Sequence, residues 1–139
     1  MYLLYALGVF AVAAIGGLIM ANNIFNGKLA PWPLSLLHAA LGATGLVLVL
    51  LAVMSSMGQA ASGAGGNAGI ITAGILLVTA LGGFFLASFH LRSKLAPGGI
   101  VILHASLGIL GVLMIVLLAF VLNANPDLSD VGAVAPNLR

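Results

Sequence analysis

The chain has 139 residues, of which 63% are hydrophobic and only 4% are charged, and its formal net charge is +2. Its mean hydropathy of +1.30 lies far above that of a domain that covers its surface with polar groups. The absence of cysteine excludes disulfides, thiolate metal sites and cysteine nucleophiles. The few basic residues form no face on which a nucleic-acid backbone would lie. The composition therefore predicts a protein of the lipid bilayer.

Four apolar runs follow one another along the chain, at about residues 2 to 25, 33 to 55, 69 to 91 and 100 to 123. Each run exceeds the roughly 20 residues that a helix needs to cross the hydrocarbon core. The first run lacks a basic segment before it and is too long for the apolar core of a secretion signal, so we expect it to be retained. We predict an all-α membrane protein with four transmembrane helices.

The two halves of the chain repeat each other at an offset of 66 residues (94 minus 28). The motif Lys-Leu-Ala-Pro occurs at 28–31 and again at 94–97, and His38 aligns with His104. The further matched pairs are Gly8 with Gly74, Gly16 with Gly82, Gly17 with Gly83, Ala21 with Ala87, Gly42 with Gly108, and Gly45 with Gly111. This pattern predicts a tandem duplication of a helical hairpin, with the halves related by a pseudo-twofold axis along the membrane normal.

The repeat divides the chain into a first hairpin at 1–54, a linker of small residues at 55–68, a second hairpin at 69–124 and a polar tail at 125–139. Lys28, Arg92 and Lys94 lie in the two loops within the hairpins. The positive-inside rule then places these loops in the cytoplasm and both termini outside, and we expect a bacterial inner membrane.

His38 and His104 lie about five residues into the second and fourth predicted helices, whose starts are indicated by the prolines before them. At that depth lipid offers no hydrogen-bonding partner, and an unsatisfied polar group costs several kcal/mol. We therefore expect both rings to face the bundle interior and to approach each other at one depth. The alternatives for the pair are ligation of a metal cofactor, a hydrogen bond that fixes the helix register, and a proton or ion pathway.

Four glycines share the helix faces of these histidines, at i+4 and i+7: Gly42, Gly45, Gly108 and Gly111. They would leave a flat, vacant wall for a planar macrocycle, with one imidazole on each side of a haem iron. Lys28, Arg92 and Lys94 would meet the haem propionates at the near membrane edge. Close helix packing is the alternative role for these glycines. We expect packing alone for the other matched glycines, Gly16, Gly17, Gly82 and Gly83.

This plan of paired histidines in a four-helix bundle resembles the four-helix membrane cytochromes b, such as the cytochrome b561-like proteins and the four-helix halves of haem A synthase. The resemblance implies that His38 and His104 hold haem b. Cytochromes of the b561 type commonly carry two haems and four ligand histidines. This chain has three histidines, which excludes a second bis-histidine haem.

We therefore expect a membrane haem protein that passes electrons to or from quinone or a partner subunit. We expect an electron-transfer or accessory subunit rather than a stand-alone enzyme. The alternative is a haem-free accessory subunit of a larger membrane complex, in contact with lipid and other subunits or with copies of itself. His90, which has Ile24 in its place in the first repeat, is expected to extend to the membrane interface. The alternative is a role as a propionate partner or as a replacement for one ligand histidine.

Overall fold

The computed structural model describes the backbone of residues 1–57 and 64–124, and the side chains of 1–55 and 67–120. It contains four α-helices: α1 Tyr2–Phe25, α2 Trp32–Met57, α3 Ala64–Leu91 and α4 Gly98–Ala124. Helix occupies residues 55–57 and 64–68 of the predicted linker. The rest of the linker and the predicted tail at 125–139 lie outside the described residues.

All four helices are long and apolar enough to span a membrane, as predicted. Even in the most apolar part of each helix, at most 22% of the residues are buried inside the protein. Large apolar side chains such as Leu18, Phe84 and Phe120 are 70% exposed or more. An apolar surface of this extent is untenable for a monomer in water and fits contact with lipid.

The helices form a ring in which each helix packs on its neighbours. The α1 helix packs on α2 and α4, and α3 packs on the same two helices. As a result α2 and α4 face each other diagonally across the bundle. The loops 26–31 and 92–97 lie at one end, because Trp32 at the start of α2 contacts His90 near the end of α3. We call this end of the bundle the loop end.

The first and third helices end in the same way. Each end is a Schellman motif, in which two backbone N–H groups beyond the helix bond back to carbonyl oxygens of its last turn. The bonds are Gly27 to Ile24 and Ser93 to His90, both 3.0 Å, and Lys28 to Asn23 and Lys94 to Phe89, both 2.9 Å. The motif needs a left-handed residue, and Gly27 and Ser93 supply it with φ of 70° and 54°.

The repeated Lys-Leu-Ala-Pro motif buries its alanine. Ala30 and Ala96 are 7% and 8% exposed, whereas the prolines that follow them are exposed. Proline leaves no backbone N–H unsatisfied where a helix begins, and α2 and α4 start directly after the motif. The motif therefore fixes where the histidine-bearing helices enter the bundle.

The tightest apolar packing lies toward the end of the bundle opposite the loops. Ala6, Val49, Thr72 and Ile115 are fully buried there. The Thr72 hydroxyl donates to the Ala68 carbonyl oxygen at 2.7 Å, so the one buried polar side chain named among the described residues is satisfied. The histidines lie on the loop side of this core.

Candidate functional site: a histidine pair between α2 and α4

The structure brings His38 and His104 together across the bundle. Each lies six residues beyond the first residue of its helix, about 9 Å along the axis from the loop end. The two ring centroids are 6.2 Å apart and the ring planes are inclined by 70°. Both residues are half-buried. The diagonal of the ring of helices is thus occupied by two imidazoles at one depth.

Backbone carbonyl groups orient both rings. The Nδ1–H of His38 donates to the Ala13 carbonyl oxygen at 2.9 Å, and the Nδ1–H of His104 donates to the Thr79 carbonyl oxygen at 3.0 Å. A carbonyl oxygen only accepts, so the hydrogen of a neutral ring lies on Nδ1. The Nε2 atom of each ring then carries the lone pair that ligates metals. Hydrogen bonds of this kind are typical of metal-bound histidines.

Glycine pairs on α1 and α3 form the seat of each ring. A Cβ atom on Gly17 would lie 3.1 Å from Cε1 of His38, and one on Gly83 would lie 3.2 Å from Cε1 of His104. A Cβ on Gly16 would lie 3.8 Å from the Cβ atom of His38, and one on Gly82 would lie 3.6 Å from Nδ1 of His104. Helix packing stays the prediction for these four glycines, and the structure adds that each of them packs beside a histidine side chain. Their alignment at the same offset as the histidines was the sequence signal for it.

The glycines on the histidine faces differ in their surroundings. A Cβ on Gly42 would have no atom within 4 Å, and one on Gly108 would have only the Thr79 methyl group, at 3.7 Å. At i+7, Gly45 is covered by the Phe10 ring and Gly111 by Leu76. The wall is therefore not vacant along its whole length. It is open at Gly42, meets the Thr79 methyl group at Gly108, and is closed one turn further from the loops.

The three loop cations are exposed at the same end of the bundle as the histidines. These residues are Lys28, Arg92 and Lys94. The described residues include no carboxylate side chain that could neutralise them, since the only two acidic side chains are Asp127 and Asp130. The cations thus give the loop end a positive charge.

His90 lies at the loop end against an aromatic ring. Its ring meets that of Trp32 edge to face, with centroids 4.4 Å apart and an interplanar angle of 80°. His90 is half-buried, and Trp32 is 47% exposed. The membrane interface stays the prediction for His90, and Trp32 beside it is of the residue type enriched at that interface.

A groove between α1 and α2 reaches the outer side of the histidine site. It has a volume of about 160 Å³ and is lined by Gly16, His38 and branched aliphatic side chains. The small size of Gly16 leaves His38 within reach of this groove. The groove is almost wholly apolar, so it adds no polar group to the site.

The two rings are separated like an ordinary edge-to-face aromatic pair, with centroids 6.2 Å apart. Two imidazoles on opposite sides of one metal ion, each nitrogen about 2 Å from it, would have a similar centroid separation of about 6 Å. The described residues hold no cluster of three or more His, Cys, Asp or Glu side chains. Two nitrogen donors alone are too few for the four-coordinate sites of zinc proteins. They suit a metal whose remaining positions are filled by a macrocycle.

No family model, curated protein or solved structure matched this chain.

Proposed function

We propose that this chain is an integral membrane protein that binds one b-type haem between His38 and His104. The observation that carries the proposal is the pair itself. Two facing imidazoles have Nδ1 tied to backbone carbonyls and Nε2 left to ligate, and their centroids are 6.2 Å apart. The donor set would fit haem, because the macrocycle supplies nitrogens of its own to the iron and His38 and His104 would supply the ligands from the protein.

The residues around the pair would each serve this group in a defined way. The Ala13 and Thr79 carbonyls hold the tautomer and orientation of the two rings. Gly42 and Gly108 leave space beside them, and Phe10 and Leu76 close the site at the level of Gly45 and Gly111. At the loop end, Lys28, Arg92 and Lys94 offer cations to the propionates.

The haem supplies one-electron transfer when bound. The histidines lie about 9 Å from the loop end, so the chain would exchange electrons with quinone or a partner subunit on that side. A single centre in one leaflet gives no complete path across the bilayer within this chain.

The same proposal includes the origin and orientation of the bundle. Tandem duplication about an axis along the membrane normal is supported by contacts that recur at the offset of 66, such as His38 with Ala13 and His104 with Thr79. The positive loops favour a cytoplasmic loop end in a bacterial inner membrane, with both termini outside.

A haem-free accessory subunit is the second candidate, and a separate observation favours it. Phe10 and Leu76 fill the space at Gly45 and Gly111. No buried side-chain nitrogen or oxygen among the described residues lacks a hydrogen-bond partner. In this case the histidines join helices within the bundle, and the apolar outer surface packs against other subunits.

The test is a dithionite-reduced minus oxidised spectrum of the full chain, expressed with a haem supply and purified in mild detergent. We expect a sharp α-band and about one haem per chain by the pyridine haemochrome assay. His38→Ala and His104→Ala are expected to lose the bis-histidine spectrum, whereas His90→Ala retains it as the matched control. Exogenous imidazole is expected to restore part of the spectrum to the alanine variants.

A flat spectrum from helical, monodisperse protein would overturn haem binding. Unchanged haem in both alanine variants would remove these two residues as ligands. Co-purification of the flat-spectrum protein with a larger membrane complex would favour the accessory subunit, and migration as a lone small species would count against it.

A further inference from the structure

The two loops of the loop end carry different charges at matched positions. Arg92 in the second loop corresponds to Asn26 in the first, whereas Lys94 corresponds to Lys28. The Asn26 side chain is occupied within its own helix end, since its Nδ2 atom donates to the Asn22 carbonyl oxygen at 2.7 Å. The second loop therefore has one more cation, Arg92, which directly follows α3 and lies two residues after His90.

The seam between α2 and α3 has an aromatic contact at its loop end, where we expect the lipid headgroups. Trp32 and His90 join the start of α2 to the end of α3, with ring centroids 4.4 Å apart. Leu36, one turn further along α2 from Trp32, is 63% exposed, and Ala87, one turn before His90, is also exposed. An apolar surface thus continues from the aromatic contact toward the membrane interior.

The Arg92 guanidinium is exposed and has no hydrogen bond or ion pair within the described residues. The acidic side chains of the chain, Asp127 and Asp130, follow α4. That helix begins at the loop end with Gly98 and runs to Ala124 at the opposite end. Both carboxylate side chains lie outside the described residues, so no acidic side chain among the described residues neutralises Arg92.

We propose that the loop end of the α2–α3 seam binds an anionic phospholipid. Arg92 and Lys94 contact its phosphate group, and its acyl chains lie along the seam below Trp32 and His90. Positive charge selects an anionic ligand, and the apolar surface beneath it selects one that carries hydrocarbon chains. Arginine donates to phosphate oxygens with two parallel N–H groups, which lysine does not. This proposal does not depend on haem.

Native mass spectrometry of the full chain in detergent tests it, with phosphatidylglycerol and phosphatidylcholine added in turn at one ionic strength. We expect preferential retention of phosphatidylglycerol. Arg92→Asn, which gives the second loop the residue of the first, is expected to weaken that retention about fivefold. Lys28→Gln, which removes a charge from the other loop, is the matched control and is expected to have little effect. Asn26→Arg in the Arg92→Asn background restores the total charge of the protein but puts it in the first loop. This double variant is expected not to restore the retention of phosphatidylglycerol.

Equal retention of the two lipids would overturn the proposal. An equal loss in Arg92→Asn and Lys28→Gln, or full restoration by Asn26→Arg, would replace the site with a diffuse positive charge. Displacement of the lipid by inorganic phosphate alone would show that the acyl chains contribute nothing. Haem content, measured on the same samples, separates the two proposals. If the Arg92→Asn variant loses haem but keeps its lipid, Arg92 is a propionate partner only.

Discussion

The two helical hairpins agree at the centre of the bundle and differ at its loop end. At the centre, His38 bonds to the carbonyl of Ala13 and His104 bonds to that of Thr79. The residues that supply the acceptors differ in side chain, but the acceptor is the backbone in both. The Thr79 hydroxyl donates to Ile75 instead. The hydrogen bond is thus the same in both hairpins although the acceptor residues differ in side chain, because only the backbone carbonyl group and the histidine ring take part.

At the loop end the hairpins have diverged in side chains that face outward. The position of Trp32 in α2 is occupied by Gly98 in α4, and a Cβ on Gly98 would lie 3.1 Å from the Phe25 ring. At the loop end, Trp32 and His90 therefore join the seam between α2 and α3, whereas Phe25 packs against Gly98 in the seam between α4 and α1. The comparison indicates a shared internal site and two unlike outer surfaces.

The largest effect is expected from filling the glycine seats of the imidazoles. Gly17→Val and Gly83→Val place side chains where even a Cβ would be 3.1 and 3.2 Å from the histidine rings. Overpacking of this kind costs about 1–3 kcal/mol, and it displaces the rings from each other. We expect loss of the bis-histidine spectrum and a lower melting temperature in detergent.

Two glycines on the same helices provide matched controls for these variants. A Cβ on Gly8 or Gly74 would meet no atom within 4 Å, so Gly8→Val and Gly74→Val are expected to retain the spectrum. A strong loss from Gly17→Val combined with none from Gly83→Val would break the equivalence of the two halves. Equal losses in the test and control variants would show general damage to the bundle instead.

A smaller effect is expected where α1 interlocks with α2. The Cβ introduced by Gly45→Ala would lie 2.7 Å from the Phe10 ring, so the ring must shift. Because only a methyl group is added, we expect a destabilisation in the lower part of the usual range for overpacking, about 1–2 kcal/mol, measured as a lower midpoint of denaturation. Gly42→Ala, on the same face but with open space around it, is the control and is expected to be nearly neutral.

A double variant identifies the cause of that destabilisation. In the Phe10→Ala background, the methyl group added by Gly45→Ala meets no ring. Gly45→Ala is therefore expected to lower the stability much less there than in the original protein, and a double-mutant cycle measures the difference. Additive costs would show that Phe10 is not the group displaced.

Much of the helical plan could be predicted from the sequence, because the lengths of the four apolar runs and the repeat at an offset of 66 residues can be read from it directly. The four apolar helices are confirmed, and the meeting of His38 with His104 followed from the burial cost of a polar ring. The roles of the glycines could not be predicted in the same way. Whether Gly17 faces lipid, a helix or a ring depends on how far each helix is rotated about its axis.

The acceptors of the histidines were equally hidden in the sequence. Every residue has a carbonyl group, so no residue type marks Ala13 or Thr79 as a partner. The covering of Gly45 by Phe10 depends likewise on the register between two helices. Apolar side chains occur at many positions of α1, and residue type alone does not show which of them covers Gly45. Only the packing of α1 on α2 decides it.

The smallest predicted effect compares the two hairpin turns. Gly27 and Ser93 occupy the same left-handed position of the Schellman motif, with φ of 70° and 54°. A residue with a Cβ costs roughly 1–2 kcal/mol there, and glycine does not. We therefore expect Ser93→Gly to raise the melting temperature and Gly27→Ser to lower it by a similar amount. The combined variant, which exchanges the two residues between the turns, is expected to return close to the original value. Both hydrogen bonds of each motif use only backbone atoms, so neither change removes a bond. If Ser93→Gly were destabilising, the serine side chain would have a role in the second turn that the left-handed backbone alone does not explain.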